Sequence, residues 1–179
     1  MKVASYDIVF QEIPGEVTLA LNLSNCPCHC PGCHSPHLAE DIGEPLDEAL
    51  LDALIAQYAG LITCVAFMGG DADPAEVARL AQYVKNCQLS TVNCQLKTAW
   101  YSGRPALPKC LSAKRSVSEA VCQQSGLSGV AGPFDYIKLG PYIESLGGLK
   151  SPTTNQRLYK RVGDDWQDIT SSFWRSSFD

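Results

Sequence analysis

The sequence has no excess of basic charge: 14 Lys and Arg stand against 19 Asp and Glu, for a net charge of −5 over 179 residues. A chain without a basic field has nothing with which to hold a phosphate backbone or an anionic lipid surface, so neither nucleic acid nor a membrane is expected as a partner. Long apolar runs are missing too. The longest, Leu61 to Met68 with Thr63 inside it, is far short of the ~20 residues that a spanning helix needs. At the N-terminus, MKVASYDIVFQEIPGE is broken by Asp7, Gln11, Glu12 and Glu16 and has neither the apolar stretch nor the small-residue cleavage site of a secretion signal. A cytoplasmic protein is the expectation. No internal repeats occur, and at 45% apolar composition the length suits one domain, residues 1–179, burying roughly two-thirds of its unfolded surface.

What the chain has in quantity is cysteine. Nine cysteines, an odd number without a secretion signal, point to reduced thiols or metal ligation rather than to disulfides. Four lie between positions 26 and 33, whereas Cys64, Cys87, Cys94, Cys110 and Cys122 are scattered singly. The three histidines, His29, His34 and His37, fall in the same stretch as the four. Metal-capable side chains are thus concentrated in one loop.

Periodicity places that loop. Val17 to Leu23 is a short β-branched and aliphatic run that stops at Ser24-Asn25, as a buried strand does before a loop, and the cysteines follow directly. Asp47 can cap a helix over Glu48 to Ala59 with Leu51, Leu54, Ile55 and Tyr58 on one face, ended by Gly60. Leu61 to Met68 reads as a second buried strand ending at Gly69-Gly70-Asp71. Asp73-Pro74-Ala75-Glu76 then supplies a cap, a proline in the first turn and a capping-box acid for a helix to about Lys85. Lys97 to Tyr101 and Tyr136 to Leu139 are further short strands, ending at Ser102-Gly103 and Gly140-Pro141. Between them residues 105–132, rich in Ser, Gln, Lys and Gly, read as a loop insertion. Leu158 to Val162 and Trp166 to Thr170, joined through Gly163-Asp164-Asp165, look like a closing hairpin. Strand and helix alternate, which implies βα units and a mostly parallel sheet with binding groups at the carboxyl ends of its strands.

Cys26-x3-Cys30-x2-Cys33 offers three thiolates from one tight loop, a set suited to three corners of a 4Fe-4S cubane whose fourth iron stays open for a small molecule. Pro27 and Pro31 stiffen the loop, and Gly32 lets the backbone approach closely. Cys28, taken here as a non-ligand, keeps other readings open. A structural zinc site could draw on Cys26, Cys28, Cys30, Cys33 and a histidine. A ferredoxin would need Cys28 or one of the scattered cysteines as its fourth ligand, and Cys30-Pro31-Gly32-Cys33 has the spacing of a redox pair.

This cysteine spacing, followed by a strand ending in Gly69-Gly70-Asp71, resembles the radical S-adenosylmethionine family. Within it, NCPCHCPGCHSPHLAE, AWYSG and YIKLGPYIESLGGLKSPTTNQRLY are similar to the activating proteins of anaerobic ribonucleoside-triphosphate reductases. The likeness covers most of the chain, except residues 86–96 and 105–132, which replace what should be shorter connections. Where many members carry an aromatic residue before the last cysteine, this chain has Gly32.

The resemblance implies an α/β fold, an incomplete, curved parallel (βα) barrel of the radical S-adenosylmethionine type in short form. It implies a 4Fe-4S cluster on Cys26, Cys30 and Cys33, with S-adenosylmethionine as the second cofactor. The S-adenosylmethionine contacts would come from Gly32, His34 and Gly69-Gly70-Asp71, the last passing the ligand's amino group along an exposed strand end. Tyr101 and Ser102 are further candidates, with Trp100 or Tyr101 stacking on adenine or simply lying in the core. Lys138 either reaches a carboxylate at the site or emerges to solvent. The implied partners are the glycyl radical subunit of an anaerobic ribonucleoside-triphosphate reductase and an external one-electron donor. For Asn155-Gln156-Arg157 a loop cap is the sufficient reading, and the aromatic C-terminus (Trp166, Phe173, Trp174, Phe178) packs on the sheet or meets the partner.

Overall fold

The computed structural model describes residues 1–86, 96–105, 132–163 and 165–174. The insertion at 106–131, the connection at 87–95, Asp164, Phe178 and the cysteines at 87, 94, 110 and 122 lie outside them. Among the described residues eight strands form one open sheet in the order β3-β1-β2-β4-β5-β6-β7-β8. They are β1 (Lys2–Val9), β2 (Thr18–Leu23), β3 (Glu44–Pro45), β4 (Cys64–Met68), β5 (Lys97–Tyr101), β6 (Tyr136–Leu139), β7 (Arg157–Val162) and β8 (Asp165–Asp168). Two α-helices, α1 (Glu48–Gln57) and α2 (Pro74–Asn86), are present among the described residues.

Parallel pairing is confined to β2, β4, β5 and β6, while the four flanking pairings are antiparallel. The sheet is therefore mixed and open rather than mostly parallel. The N-terminal strand is what the sequence reading lacked. In β1, Lys2, Ser5 and Asp7 break the apolar run, so its pattern gives little strand signal; β2 supplies the partner that holds it extended. Within the parallel core, strands consecutive in the chain are neighbours and the order never reverses. Such winding keeps crossovers on one face, and both helices do pack on the same face.

That face holds the larger core. Leu19, Leu21 and Leu23 of β2, Val65 and Phe67 of β4, Trp100 of β5 and Ile137 and Leu139 of β6 meet Leu51, Leu54 and Ile55 of α1 and Val77, Leu80 and Val84 of α2. Each such burial contributes roughly 1.5–3 kcal/mol before entropy. On the other face a smaller cluster of Cys64, Ala66, Ala99, Tyr136 and Leu158 is covered by Ile13, Leu149, Ile169 and Phe173.

The caps are local. Asp47 accepts from Leu50 N–H at 2.9 Å, and Asp73 from Glu76 N–H at 3.1 Å; a cap of this kind contributes about 1 kcal/mol. Glu76 does not close the capping box. Its carboxylate holds Arg79 at 2.8 Å instead, and Asp73 N–H donates to Gly70 O. Gly60, at φ +79°, turns the chain out of α1.

Candidate metal and cofactor centre at the carboxyl edge

Register puts the site together. Asn22, Met68, Tyr101 and Lys138 face one another across β2, β4, β5 and β6 at the carboxyl ends of these strands, and the segments that follow them carry the chemistry. The cysteine loop leaves β2 through Asn25 in the left-handed region (φ 60°), and His29 (φ 42°) bends it again. Asn25 Nδ2 donates to Asp41 Oδ1 at 2.8 Å, Cys26 N–H to Leu38 O at 2.9 Å and Cys33 N–H to Cys30 O at 3.1 Å. All four loop cysteines are half-buried free thiols.

Two of them differ in their hydrogen bonds. Cys33 Sγ accepts from Ser35 N–H at 3.4 Å, the kind of contact that stabilises a ligating thiolate. Cys28 Sγ faces Asp71 Oδ2 at 3.7 Å as a donor. Burial, then the charges of Asp71 and Cys26, push the Cys28 thiol up to about 12. Three further thiols from the same loop, Cys26, Cys30 and Cys33, the last already accepting a backbone N–H, are a donor set whose chemistry suits a cluster held by three cysteines. Among the described residues no three His, Cys, Asp or Glu side chains gather as they would around a single ion; a cubane distributes its thiolates over separate irons.

The Gly69-Gly70-Asp71 turn is less exposed than its sequence implies, for Gly70 and Asp71 are buried. Both glycines have positive φ, and a Cβ on Gly70 would lie 2.4 Å from Val77 Cγ2, so the fold itself requires glycine there. Gly69 N–H donates to Tyr101 O at 2.8 Å and its carbonyl accepts from Trp100 Nε1 at 2.8 Å. The Asp71 carboxylate is occupied within the chain. Ser102 Oγ donates to Oδ1 at 2.6 Å, Gly103 N–H to Oδ2 at 2.7 Å, and Arg104 Nε stands 3.5 Å away.

Lys138 is buried on this side and does not emerge to solvent. Its Nζ donates to Gly140 O at 2.7 Å. Burial lowers it to about 8, against the opposing charges of Asp71, Cys30, Cys28 and Cys26, so the ammonium lies within electrostatic reach of the thiols. At the loop's far end His34 makes an edge contact with Tyr142 at 4.8 Å. Gly32 stands at φ +72°, a left-handed conformation that side-chain-bearing residues rarely adopt, with Glu144 Oε2 3.0 Å from where a Cβ would lie.

The aromatic candidates lie elsewhere. Trp100 is fully buried and stacks on Phe134 at 5.9 Å. Tyr101 donates its hydroxyl to Glu12 O in the smaller core. Asn155-Gln156-Arg157 ties down the β6–β7 connection: Asn155 Nδ2 donates to Pro141 O at 2.9 Å, Gln156 Nε2 to Gly140 O at 3.5 Å and Arg157 to Thr154 O at 2.6 Å. Trp174 joins the same connection through Leu149 O. Arg104, Tyr142 and Glu144 are neighbours of the site that the sequence reading missed; the only sequence signal for them is their place just after β5 and β6. No family model matches the chain, and no curated protein or solved structure does either.

Proposed function

We propose that this protein is a radical S-adenosylmethionine enzyme of short form, with its cluster on Cys26, Cys30 and Cys33 and a one-sidedly wound parallel core as the remnant of a (βα) barrel. The observation that supports the reading is the seating of the cysteine loop over the carboxyl ends of parallel strands, where Cys28 Sγ meets Asp71 and Lys138 is buried at the same edge. A cluster held there would supply one electron to S-adenosylmethionine, whose carbon–sulfur bond breaks to give methionine and a 5'-deoxyadenosyl radical.

The chain's residues would bind and orient that ligand. Lys138 offers an ammonium to a carboxylate, and the Gly32 to His34 segment with Tyr142 lines the approach to the last cysteine. Asp71 holds the ends of β4 and β5 together through Ser102 and Gly103. On the resemblance of the cysteine loop, AWYSG and the β6–β7 region, the radical's target is the glycine of an anaerobic ribonucleoside-triphosphate reductase, with reduction by an external one-electron donor in the cytoplasm. Among the described residues no helix is long and apolar enough to cross a membrane.

The test is anaerobic reconstitution with iron and sulfide, then dithionite and S-adenosylmethionine, with chromatography for 5'-deoxyadenosine. The product should appear and be lost in Cys30→Ala. A cluster without product makes the protein an electron carrier, and bound zinc without iron makes it a structural module. Adding the reductase subunit should produce a glycyl radical signal in electron paramagnetic resonance; its absence removes that partner and leaves the cleavage chemistry standing.

A further inference from the structure

The cysteine loop is fastened at its start through Asn25 and Cys26 and at its end through Cys33. The middle fastening is of another kind. Cys28 Sγ reaches Asp71 Oδ2 at 3.7 Å, and the same oxygen accepts from Gly103 N–H at 2.7 Å. One carboxylate oxygen therefore joins the loop to the end of β5. The contact is also steric: a Cβ on Gly103 would stand 2.4 Å from Cys28 Sγ and 3.3 Å from Cys28 Cβ. Gly103 is not among the glycines with positive φ, so a left-handed backbone is not what calls for glycine there. The thiol of Cys28 is what demands glycine.

We infer that Cys28 is a positioning residue whose thiol, keyed into the notch at Gly103 and hydrogen-bonded to Asp71, sets how Cys26, Cys30 and Cys33 sit over the carboxyl edge of the sheet. Its role in holding a cluster rests on the function proposed above, whereas the keyed contact exists with or without iron. Serine keeps a donor toward Asp71 and is smaller than cysteine, so it preserves the key; alanine removes the donor and empties the notch.

A four-member cycle tests this: wild type, Cys28→Ala, Gly103→Ala and the double variant, with Cys28→Ser as the conservative control. In the apoprotein, Gly103→Ala should lower the thermal midpoint by roughly 5 °C because it overpacks a fitted contact. Adding Cys28→Ala should return most of that loss. After reconstitution, iron per chain should fall several-fold in Gly103→Ala and recover in the double variant. The change that S-adenosylmethionine makes to the signal of the reduced protein should persist in Cys28→Ser and weaken in Cys28→Ala.

Additive midpoints in the apoprotein would overturn the keyed contact. Recovery of the midpoint without recovery of iron would overturn the positioning role, and loss of iron in both Cys28→Ala and Cys28→Ser would make Cys28 a ligand instead. Should Gly103→Ala alone fail to fold, a folded double variant supports the key and an unfolded one rejects it. If the wild type binds no iron, the proposed function and the positioning role fail together, while the apoprotein cycle still decides the contact.

Discussion

Two buried carboxylates sit at opposite ends of the same parallel strands and are treated in opposite ways. At the amino end Glu16 receives Lys97 Nζ at 2.5 Å, Tyr136 Oη at 2.7 Å and Thr63 Oγ1 at 2.7 Å. Burial alone would raise its pKa, yet those three hydrogen bonds hold it below the ordinary glutamate range. At the carboxyl end Asp71 is also bonded, but the groups around it are underserved: Cys28 is driven toward its neutral form and Lys138 is made a weaker base, in each case by burial first. One end is closed by its own side chains. The other buries a thiol and an ammonium beside its carboxylate, and burial is the first cause of the shift in each.

The largest effect should come from breaking the carboxyl end. Asp71→Ala leaves Ser102 Oγ and Gly103 N–H without their acceptor and Arg104 without its neighbouring counter-charge, which should cost about 3 kcal/mol. Stability by urea denaturation and iron content after reconstitution should fall together. If stability falls and iron is retained, Asp71 braces the sheet without seating the loop.

Glu16→Gln should separate the two ends. It removes the charge paired with Lys97 and costs about 2 kcal/mol, with iron binding and 5'-deoxyadenosine formation unchanged. The pH dependence carries a sign. Because the folded-state pKa of Glu16 lies below its ordinary 4.5, the stability it contributes is fully present above that value and is lost as pH falls through the folded-state pKa. Acid unfolding of the wild type should therefore be steeper below about pH 4.5 than that of Glu16→Gln, measured by circular dichroism across the acid limb.

Which parts of this contrast the sequence carries follows from local physics. Helix α1 was legible because Asp47, the Leu51-Leu54-Ile55 face and Gly60 are local signals, and β4 to β6 because each is a short apolar run closed by glycine. The cysteine spacing marked the candidate loop for the same reason. The antiparallel flank of β1 was not legible, since Lys2, Ser5 and Asp7 mask a strand that only pairing with β2 makes. The partners of Asp71 were invisible as well. Cys28, Ser102 and Gly103 are brought to one carboxylate by parallel register, over separations of 31 to 43 residues, and no window of sequence contains that meeting. Glycine at 70 was expected to permit backbone contact, and its second reason, clearance of Val77, appears only in the packing.

The smallest effect sharpens the comparison most, because it should have opposite signs in stability and in function. Lys138 is buried, donates to Gly140 O and is weakened as a base by its surroundings, so the apoprotein bears the desolvation of an ammonium that its neighbours only partly compensate. Lys138→Met keeps the length of the side chain and removes that charge. Replacing such a group by an apolar one of similar shape often stabilises, here by about 1 kcal/mol or a midpoint gain of roughly 3 °C in the apoprotein. If the ammonium serves a ligand carboxylate, the same variant should raise the KM for S-adenosylmethionine several-fold while iron content stays unchanged. A gain in midpoint with unaltered KM would make Lys138 an internal counter-charge to the thiols, whereas a loss of midpoint would show that its bond to Gly140 O outweighs the cost of burial and that the carboxyl end is as well satisfied as the amino end.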